Sequence, residues 1–481
     1  MRSPTACLLA ALPGPRCGVL LVLPALLAGC TVGPDYRPAS PGELKVPAGY
    51  YSAASTGAQF VDLRTWWTSF DDPVLTALIA AALVTNNDID AAGARLRVAR
   101  ASLRGARGAQ LPEIGASASA NRSLAIAGPD GESTSYRAGF DASWEADLFG
   151  GNRRAVEAAS AGAGAAEADL HAVQLSIAAE LALNYIDYRL SQSGLANARA
   201  NLGFQDETVQ IAGWRVQAGL VSSLDLEQSR VLRAQTAASI PSLETGLAAA
   251  ANRIAVLTGQ APGAVSGLLD AEQPIPLGPD AIETGLPAEL LQRRPDVVAA
   301  ERRLAAETAR IGVATAQLYP ALRLSGSLTT GGLSLGGLGE SIIGAVASAI
   351  TAPIFQGGQI RAQIDGQKST ALAAFANYRQ SVLIALEDTE NALLALRNSR
   401  RREEQLATAE SSAQSTLFYA RSQYRAGLID FQTLLEAERS LLSTQDGRTT
   451  ARAARATALV QLYKALGGGW STNELPGVPA R

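Results

Sequence analysis

Three internal matches at one spacing constrain this chain more than any other feature. The stretch Tyr424 to Leu442, YRAGLIDFQTLLEAERSLL, has an echo from Val216 to Arg233, VQAGLVSSLDLEQSRVLR, and their glycines lie 208 residues apart (427 − 219). The same offset joins Leu111-Pro112 to Tyr319-Pro320, each followed by an alternating segment, and Asp88 to Asp296, each opening a helical run. One such match is weak. Three at a common offset mean one unit written twice. A length of 481 residues would otherwise suggest roughly three domains; the duplication favours two intertwined halves.

The first thirty residues stand apart from this repeat. Cys7, Cys17 and Cys30 all fall there, so the body carries no disulfide or cysteine-metal site. Arg2 and Arg16 precede an apolar run from Val19 to Ala28, too short for a bilayer span of about 20 residues. The layout is that of a secretory leader with a small-residue cleavage site. Leu27-Ala28-Gly29-Cys30 resembles the bacterial lipoprotein box, in which the cysteine becomes the acylated first residue; the other reading is an ordinary leader with an incidental cysteine. On the lipoprotein reading Cys30 carries a diacylglycerol and an N-acyl chain, and multiple chains anchor firmly where one binds marginally. Thr31 stands where inner-membrane lipoproteins usually have aspartate, which by analogy directs the chain to the outer membrane. Without the leader arginines the net charge moves from −3 to −5 (39 − 44), so no polyanion partner is implied.

The hydrophobic period then changes along the chain. TVGPDYRPASPGELKVP after Cys30 reads as an extended tether without core pattern. Asp72 caps and Pro73 opens a helix with Leu75, Leu78, Ile79 and Ala82 on one stripe, and a second helix runs from Asp88 to Gln110. From Tyr136 to Leu148 the period is two: Phe140, Trp144 and their alternates are apolar, while Asp141, Glu145 and Asp147 stand on the other face. Ile114 to Leu124 alternates less cleanly, with a turn at Gly128-Pro129-Asp130-Gly131. The second half repeats this hairpin from Leu322 to Thr329 and Ser341 to Phe355, around a glycine-rich tip at Gly331 to Gly339.

Gly151 to about Gln217 and Gly357 to about Arg425 contain no proline, and each as a helix is roughly 100 Å long. Such lengths imply a coiled coil or a helical tube. Leu170, Val173, Ile177, Leu181, Asn184 and Tyr188 trace one seam, with Leu175, Leu183 and Ile186 off it, which suits a helix touched on more than one side. Ser222 to Leu257 and Asp430 to Leu466 return at about half that length.

Four amphipathic strands cannot stand alone in a membrane, because open edges leave backbone groups unpaired at several kcal/mol each. Two copies give eight strands, whose interior side chains fill; three give twelve, enough for an aqueous lumen. Asp141, Glu145 and Asp147 then line water while Phe140 and Trp144 face lipid. A soluble β-sandwich face is the other reading of the same alternation.

At this point several motifs carry a resemblance: CTVGPDYRP at Cys30–Pro38, Trp66 to Pro73, RRPD at Arg293–Asp296, QLYP at Gln317–Pro320, PIFQGG at Pro353–Gly358 and the YRAGL…LLEAERSLL stretch. Together they resemble the TolC-type outer-membrane efflux proteins, in the OprM/NodT-like lipoprotein branch that serves resistance-nodulation-division (RND) pumps. The resemblance implies an α+β membrane protein: a homotrimeric 12-stranded transmembrane β-barrel, four strands per chain, continued by a long periplasmic α-helical barrel. It also implies docking to a periplasmic adaptor and an inner-membrane transporter, and a location in the outer membrane of a Gram-negative bacterium. The boundaries that follow are a leader over 1–29, a tether over 30–64, repeats over 65–258 and 287–466 with hairpins near 111–149 and 319–356, a linker over 259–286 and a disordered tail over 467–481.

On that reading the helix breaks at the far end of the tube from the barrel meet the adaptor, through Arg215, Gly219, Leu220, Arg425, Gly427 and Leu428. Gln432 and Glu436, one turn apart, become rings at the periplasmic entrance under three-fold symmetry. Relatives often have Leu and Asp at those two places, so an apolar ring is missing here, and crowded Glu436 carboxylates favour cations. Gly366-Gln367-Lys368-Ser369 lacks the Gly-Lys adjacency of a phosphate loop. His171 has no triad or metal company, and Arg400 pairs with Glu404 on a solvated helix face. No enzyme and no cofactor are expected. The expected function is a passive exit duct for small toxic solutes, drugs or metal ions; a protein-secretion duct and a non-conducting periplasmic coiled-coil scaffold are the alternatives.

Overall fold

The structure is a computed structural model, and it describes residues 31–52, 61–124 and 131–470. Cys30 and most of the first hairpin turn lie outside the described residues. The elements in chain order are α1 (Pro73–Thr85), α2 (Asn87–Gly108), β1 (Glu113–Ser123), β2 (Ser133–Ala146), α3 (Gly151–Gln217) and α4 (Ser223–Leu257). The second half supplies α5 (Pro295–Ala316), β3 (Ala321–Gly332), β4 (Ile342–Thr351), α6 (Gln359–Arg425) and α7 (Phe431–Ala465). Among the described residues the chain is mostly helical with one four-stranded sheet.

The repeat seen in sequence is metrical in structure. α2 and α5 have 22 residues each, α3 and α6 have 67 each, and α4 and α7 have 35 each. Each second member starts 208 residues after the first (295 − 87, 359 − 151, 431 − 223).

The chain divides into two compact units. One comprises Met1–Arg37, Ala99–Ala163 and Arg303–Phe375, and it holds the sheet. The strand order is β1-β2-β3-β4 with every pair antiparallel. The tether over 31–37 is not the loose extension that its composition suggests. Val32 N–H donates to Phe149 O at 3.1 Å, and the buried Arg154 donates to Val32 O at 3.1 Å and to Asp35 Oδ1 at 2.6 Å. Gly33, at φ 91°, lies so close to Gly312 that a Cβ would come within 2.4 Å of its Cα.

The other unit comprises Pro38–Val98, Gly164–Arg302 and Ala376–Arg481. Trp66, fully buried, stacks on Tyr463 with centroids 5.2 Å apart, and Leu75, Leu78, Ile79, Tyr185, Ile254 and Leu257 are buried with them. Asp72 caps α1 by accepting from the Val74 and Leu75 amides at 2.9 Å, and Tyr185 Oη donates to its other oxygen at 2.7 Å. On α3, Leu175, Ile177, Ala178, Leu181, Ala182, Tyr185 and Ile186 are all buried. More than one face of that helix is therefore covered, which a single seam would not give.

The linker over 259–286 is irregular apart from one helical turn, Ser266–Leu269, and is pinned by a buried cation. Arg189 Nη1 donates to Ala271 O at 2.7 Å, Leu269 O at 3.2 Å and Gln192 Oε1 at 2.6 Å. Of the tail expected to be disordered, residues 467–470 are ordered, and 471–481 lie outside the described residues. Gly469 N–H donates to Leu63 O at 2.6 Å; Trp470 donates to Arg293 O at 2.8 Å and stacks on His171 at 4.9 Å. His171 thus serves as a packing surface for that indole.

Candidate channel-forming surfaces

In an antiparallel sheet directly opposed residues share a face, so the register sorts the side chains. Phe140 lies opposite Leu328 and Ala116, Trp144 opposite Leu324, and Ala142 opposite Gly326 and Ile114. With Val346 and Ile350 of β4 these make one apolar face. The other face carries Glu113, Ser117, Asp141, Ser143, Glu145, Arg323, Ser325 and Ser327. Glu145 pairs with Arg323 at 3.3 Å, and Ser117 Oγ donates to Asp141 at 3.3 Å. Small side chains on this polar side, Gly115, Ser325, Ala345 and Ala347 among them, leave it concave.

Three of the five strand-site expectations fit this pattern directly. Phe140 is 59% exposed on the apolar face, and Asp141 and Glu145 are exposed on the polar one. Asp147 is a correction. β2 ends at Ala146, and Asp147 accepts from the amides of Asn152 and Arg153 at 3.1 and 2.9 Å, so it caps the start of α3. Trp144 is on the expected face but partly buried, and its Nε1 donates to Gln110 O at 2.9 Å. An indole with one apolar side and one bonded N–H suits the margin of an apolar band.

In the second unit the two helical hairpins end in the same motif. Leu220 N–H donates to Arg215 O and Gly219 N–H to Val216 O; Leu428 donates to Gln423 O and Gly427 to Tyr424 O. Each is a helix C-terminus closed by a left-handed glycine, at φ 72° and 73°. Ser222 and Asp430 then cap the returning helices. Nothing lies within 4 Å of where a Cβ would stand at either glycine, and Leu220 and Leu428 are 73% and 75% exposed. Arg425 is exposed as well, whereas Arg215 folds back over the Tyr424 ring at 4.4 Å.

α7 then splits into two faces. Gln432 and Glu436 are exposed on one, one turn apart. Phe431, Leu434, Leu435, Ala437 and Leu441 are buried on the other, against Ala212, Leu232, Leu417, Ala420 and Tyr424. Sequence reading missed Glu438, which is buried among them. It accepts from Thr208 Oγ1 at 3.3 Å and lies 3.4 Å from Arg421, while its second oxygen has no hydrogen-bond partner. Burial pushes its carboxyl above the ordinary value, with Arg421 and Thr208 acting against that. The signal was its spacing: Leu434, Glu438 and Leu441 follow the apolar period of the helix.

The helix face around Arg400 is also less solvated than expected. Arg400 does bond Glu404 at 3.0 Å, but Glu403 is largely covered and receives Arg455 at 2.7 Å. Seven residues on, Glu410 receives Arg448 at 2.7 Å. Continuing in sevens reaches Leu417 with Leu441 and Tyr424 with Leu434, which belong to one buried cluster. α6 and α7 are thus joined by a heptad ladder, ionic at one end and apolar toward the tip.

The profile described as outer membrane efflux protein matches residues 78–260 and 286–468. Nodulation protein T of Rhizobium leguminosarum bv. trifolii is 33% identical over 455 residues, covering 93% of this chain and 96% of that protein. The pyoverdine export outer membrane protein OpmQ of Pseudomonas aeruginosa is 33% identical over 463 residues, again 93% and 96%. Among solved structures, the outer-membrane channel OprN is 37% identical with a TM-score of 0.85, covering 92% of this chain and all of that one.

Proposed function

This chain belongs to the outer membrane efflux protein family, and from that premise we propose that three copies form the exit duct of a tripartite RND-type pump. The duct is passive: small toxic solutes, drugs or metal ions leave through it when an adaptor and an inner-membrane transporter engage its helical tips. The observation that carries this reading is the sheet. It has one apolar face, one polar face and two open edges, in the same chain as two 67-residue helices. In hydrocarbon those edges must be paired, and a second and third copy supply the pairing. The polar face with Asp141 and Glu145 then lines water, and the apolar face with Phe140 meets lipid.

Gln432 and Glu436 supply the entrance rings, and Gly219, Leu220, Arg425, Gly427 and Leu428 the adaptor contacts, with Arg215 steadying Tyr424 behind them. Cys30 carries the acyl chains that hold the chain to the outer membrane. The duct needs no cofactor and performs no catalysis, since a water-filled tube discriminates by width and charge.

Purified protein in planar bilayers gives discrete conductance steps on this reading, and a deletion strain becomes sensitive to a panel of small toxic solutes. Absence of steps from well-folded protein points to a scaffold instead. Unchanged solute sensitivity with lost export of a large protein points to a secretion duct.

A further inference from the structure

The two halves of the repeat differ in charge where each leads into the sheet. Between Asp90 and Glu113 the chain has five arginines and no acidic residue, whereas the matching stretch 208 residues on, 299–320, has three arginines and two glutamates. Arg100, Arg104 and Arg107 follow at steps of four and three, so they share one face of α2, and all three are exposed. Farther back in the helix the same stripe is apolar and buried, at Ile89 and Leu96. The stripe thus turns from covered and apolar to open and basic toward the strand. Asp35 and Glu157 are taken by Arg154, and Asp147 by Arg153, so those acids are already matched.

The repeat shows what the equivalent face of α5 does. Arg100, Arg104 and Arg107 correspond to Thr308, Gly312 and Thr315. That face is small and occupied: Gly33 of the tether lies against Gly312, and the Arg154 side chain reaches over it. Thr31 continues the tether back onto Gly150, at the start of α3. On α5 the position therefore belongs to the segment that follows Cys30. On α2 it is open, and arginine stands there.

Trp144 fixes the level of these arginines. Its Nε1 donates to Gln110 O at 2.9 Å, three residues after Arg107. On the reading above, this indole marks the margin of the apolar band at the end where the helices leave. Arg107 then lies at headgroup level. Arg100 is about 10 Å farther along the helix. A long guanidinium side chain and a surface potential that reaches about 8 Å still bring it into play. An exposed stripe on one helix offers a small free anion no enclosure, whereas a plane of phosphates meets all three arginines at once.

We propose that Arg100, Arg104 and Arg107 bind anionic phospholipid headgroups in the leaflet from which the helices emerge, the first half's counterpart to the acyl tether held by the second. This rests on the membrane-duct reading and adds a lipid contact to it.

Native mass spectrometry of the full-length trimer, equilibrated in mixed micelles with equal amounts of phosphatidylglycerol and phosphatidylcholine, tests it. The parent should retain phosphatidylglycerol several-fold over phosphatidylcholine, less so as salt rises. The triple variant Arg100→Gln, Arg104→Gln, Arg107→Gln should lose that preference. Lysine at the same three positions should keep it. So should Arg397→Gln, Arg401→Gln, Arg402→Gln, an equal change of charge at exposed positions of the other compact unit. A glutamine triple that keeps the preference overturns the proposal, as does a lysine triple or a distant triple that loses it. Displacement of phosphatidylglycerol by inorganic phosphate would make the arginines a free-anion site and overturn the lipid assignment too. A parent trimer that conducts yet shows no preference sinks the lipid contact alone; a monomeric parent without conductance steps sinks the duct reading beneath it.

Discussion

The Arg421 guanidinium lies 3.4 Å from the buried carboxylate of Glu438, and Thr208 of α3 donates to the same oxygen at 3.3 Å. One acidic group thereby ties α6, α7 and α3 together, a few turns from the tip at Gly427. Its burial raises the carboxyl above its ordinary value. The folded state then holds the proton to higher pH than the unfolded state does. The stability it contributes is complete below the ordinary Glu range and is lost as pH rises through the raised value. Glu438→Gln keeps the shape and removes the charge. Melting of the detergent-solubilised protein between about pH 4 and pH 8 should then depend less on pH for the variant, with no loss of stability near neutrality. An unchanged pH profile would mean that Glu438 is not the titrating group.

Gly33 makes a second sharp expectation. It combines a φ of 91° with a backbone so near that a Cβ would meet Gly312 Cα at 2.4 Å. Left-handed backbone costs a non-glycine residue about 1–2 kcal/mol, and overpacking about 1–3 kcal/mol more. Gly33→Ala should therefore lower the melting temperature clearly, whereas Gly42→Ala, with nothing within 4 Å of its Cβ position, should cost little. Equal melting temperatures for the two would show that the tether does not clamp the sheet unit.

Period and repetition made most of the fold legible. The two long helices were visible as proline-free stretches, and their ends fell at glycine because a helical hairpin needs a left-handed residue there. The strands were visible where alternation was strict, as at Phe140 and Asp141. Asp147 was misplaced because alternation continues past Ala146 in sequence, while the backbone has already turned to start α3. The tether was misread for a different reason. Gly, Pro and Asp look unstructured by composition, yet Val32 and Asp35 are held by Arg154, 119 residues away from Asp35. Glu438 escaped notice because a charged residue is easily assigned to the solvated side of a helix, where its neighbour Glu436 does lie.

Glu436 is exposed on α7 one turn from Gln432, with no apolar side chain between them on that face. If three copies bring these carboxylates to a common axis, the entrance attracts cations and repels anions. Glu436→Gln should reduce the cation preference of single channels, measured as a reversal potential across a salt gradient, while Gln432→Leu should lower conductance and leave selectivity in place. A Glu436→Gln channel with the parental reversal potential would remove this residue from the entrance.

The tips offer the cleanest separation of folding from docking. Gly427 is left-handed at φ 73° with open space around its Cβ position, so Gly427→Ala should cost only the backbone penalty, about 1–2 kcal/mol, and leave the hairpin formed. Leu428 is 75% exposed and its side chain does not hold the turn, which is closed by its amide on Gln423 O. Leu428→Asp should therefore leave melting and conductance unchanged. Binding of a purified periplasmic adaptor from an RND system of the same host, followed by biolayer interferometry, should weaken at least tenfold, a loss of about 1.4 kcal/mol. Leu220→Asp tests the corresponding tip in the first half of the chain. If both variants bind the adaptor as the parent does, the exposed leucines are not the docking surface. The contact would then have to lie along the flanks of the hairpins rather than at their turns.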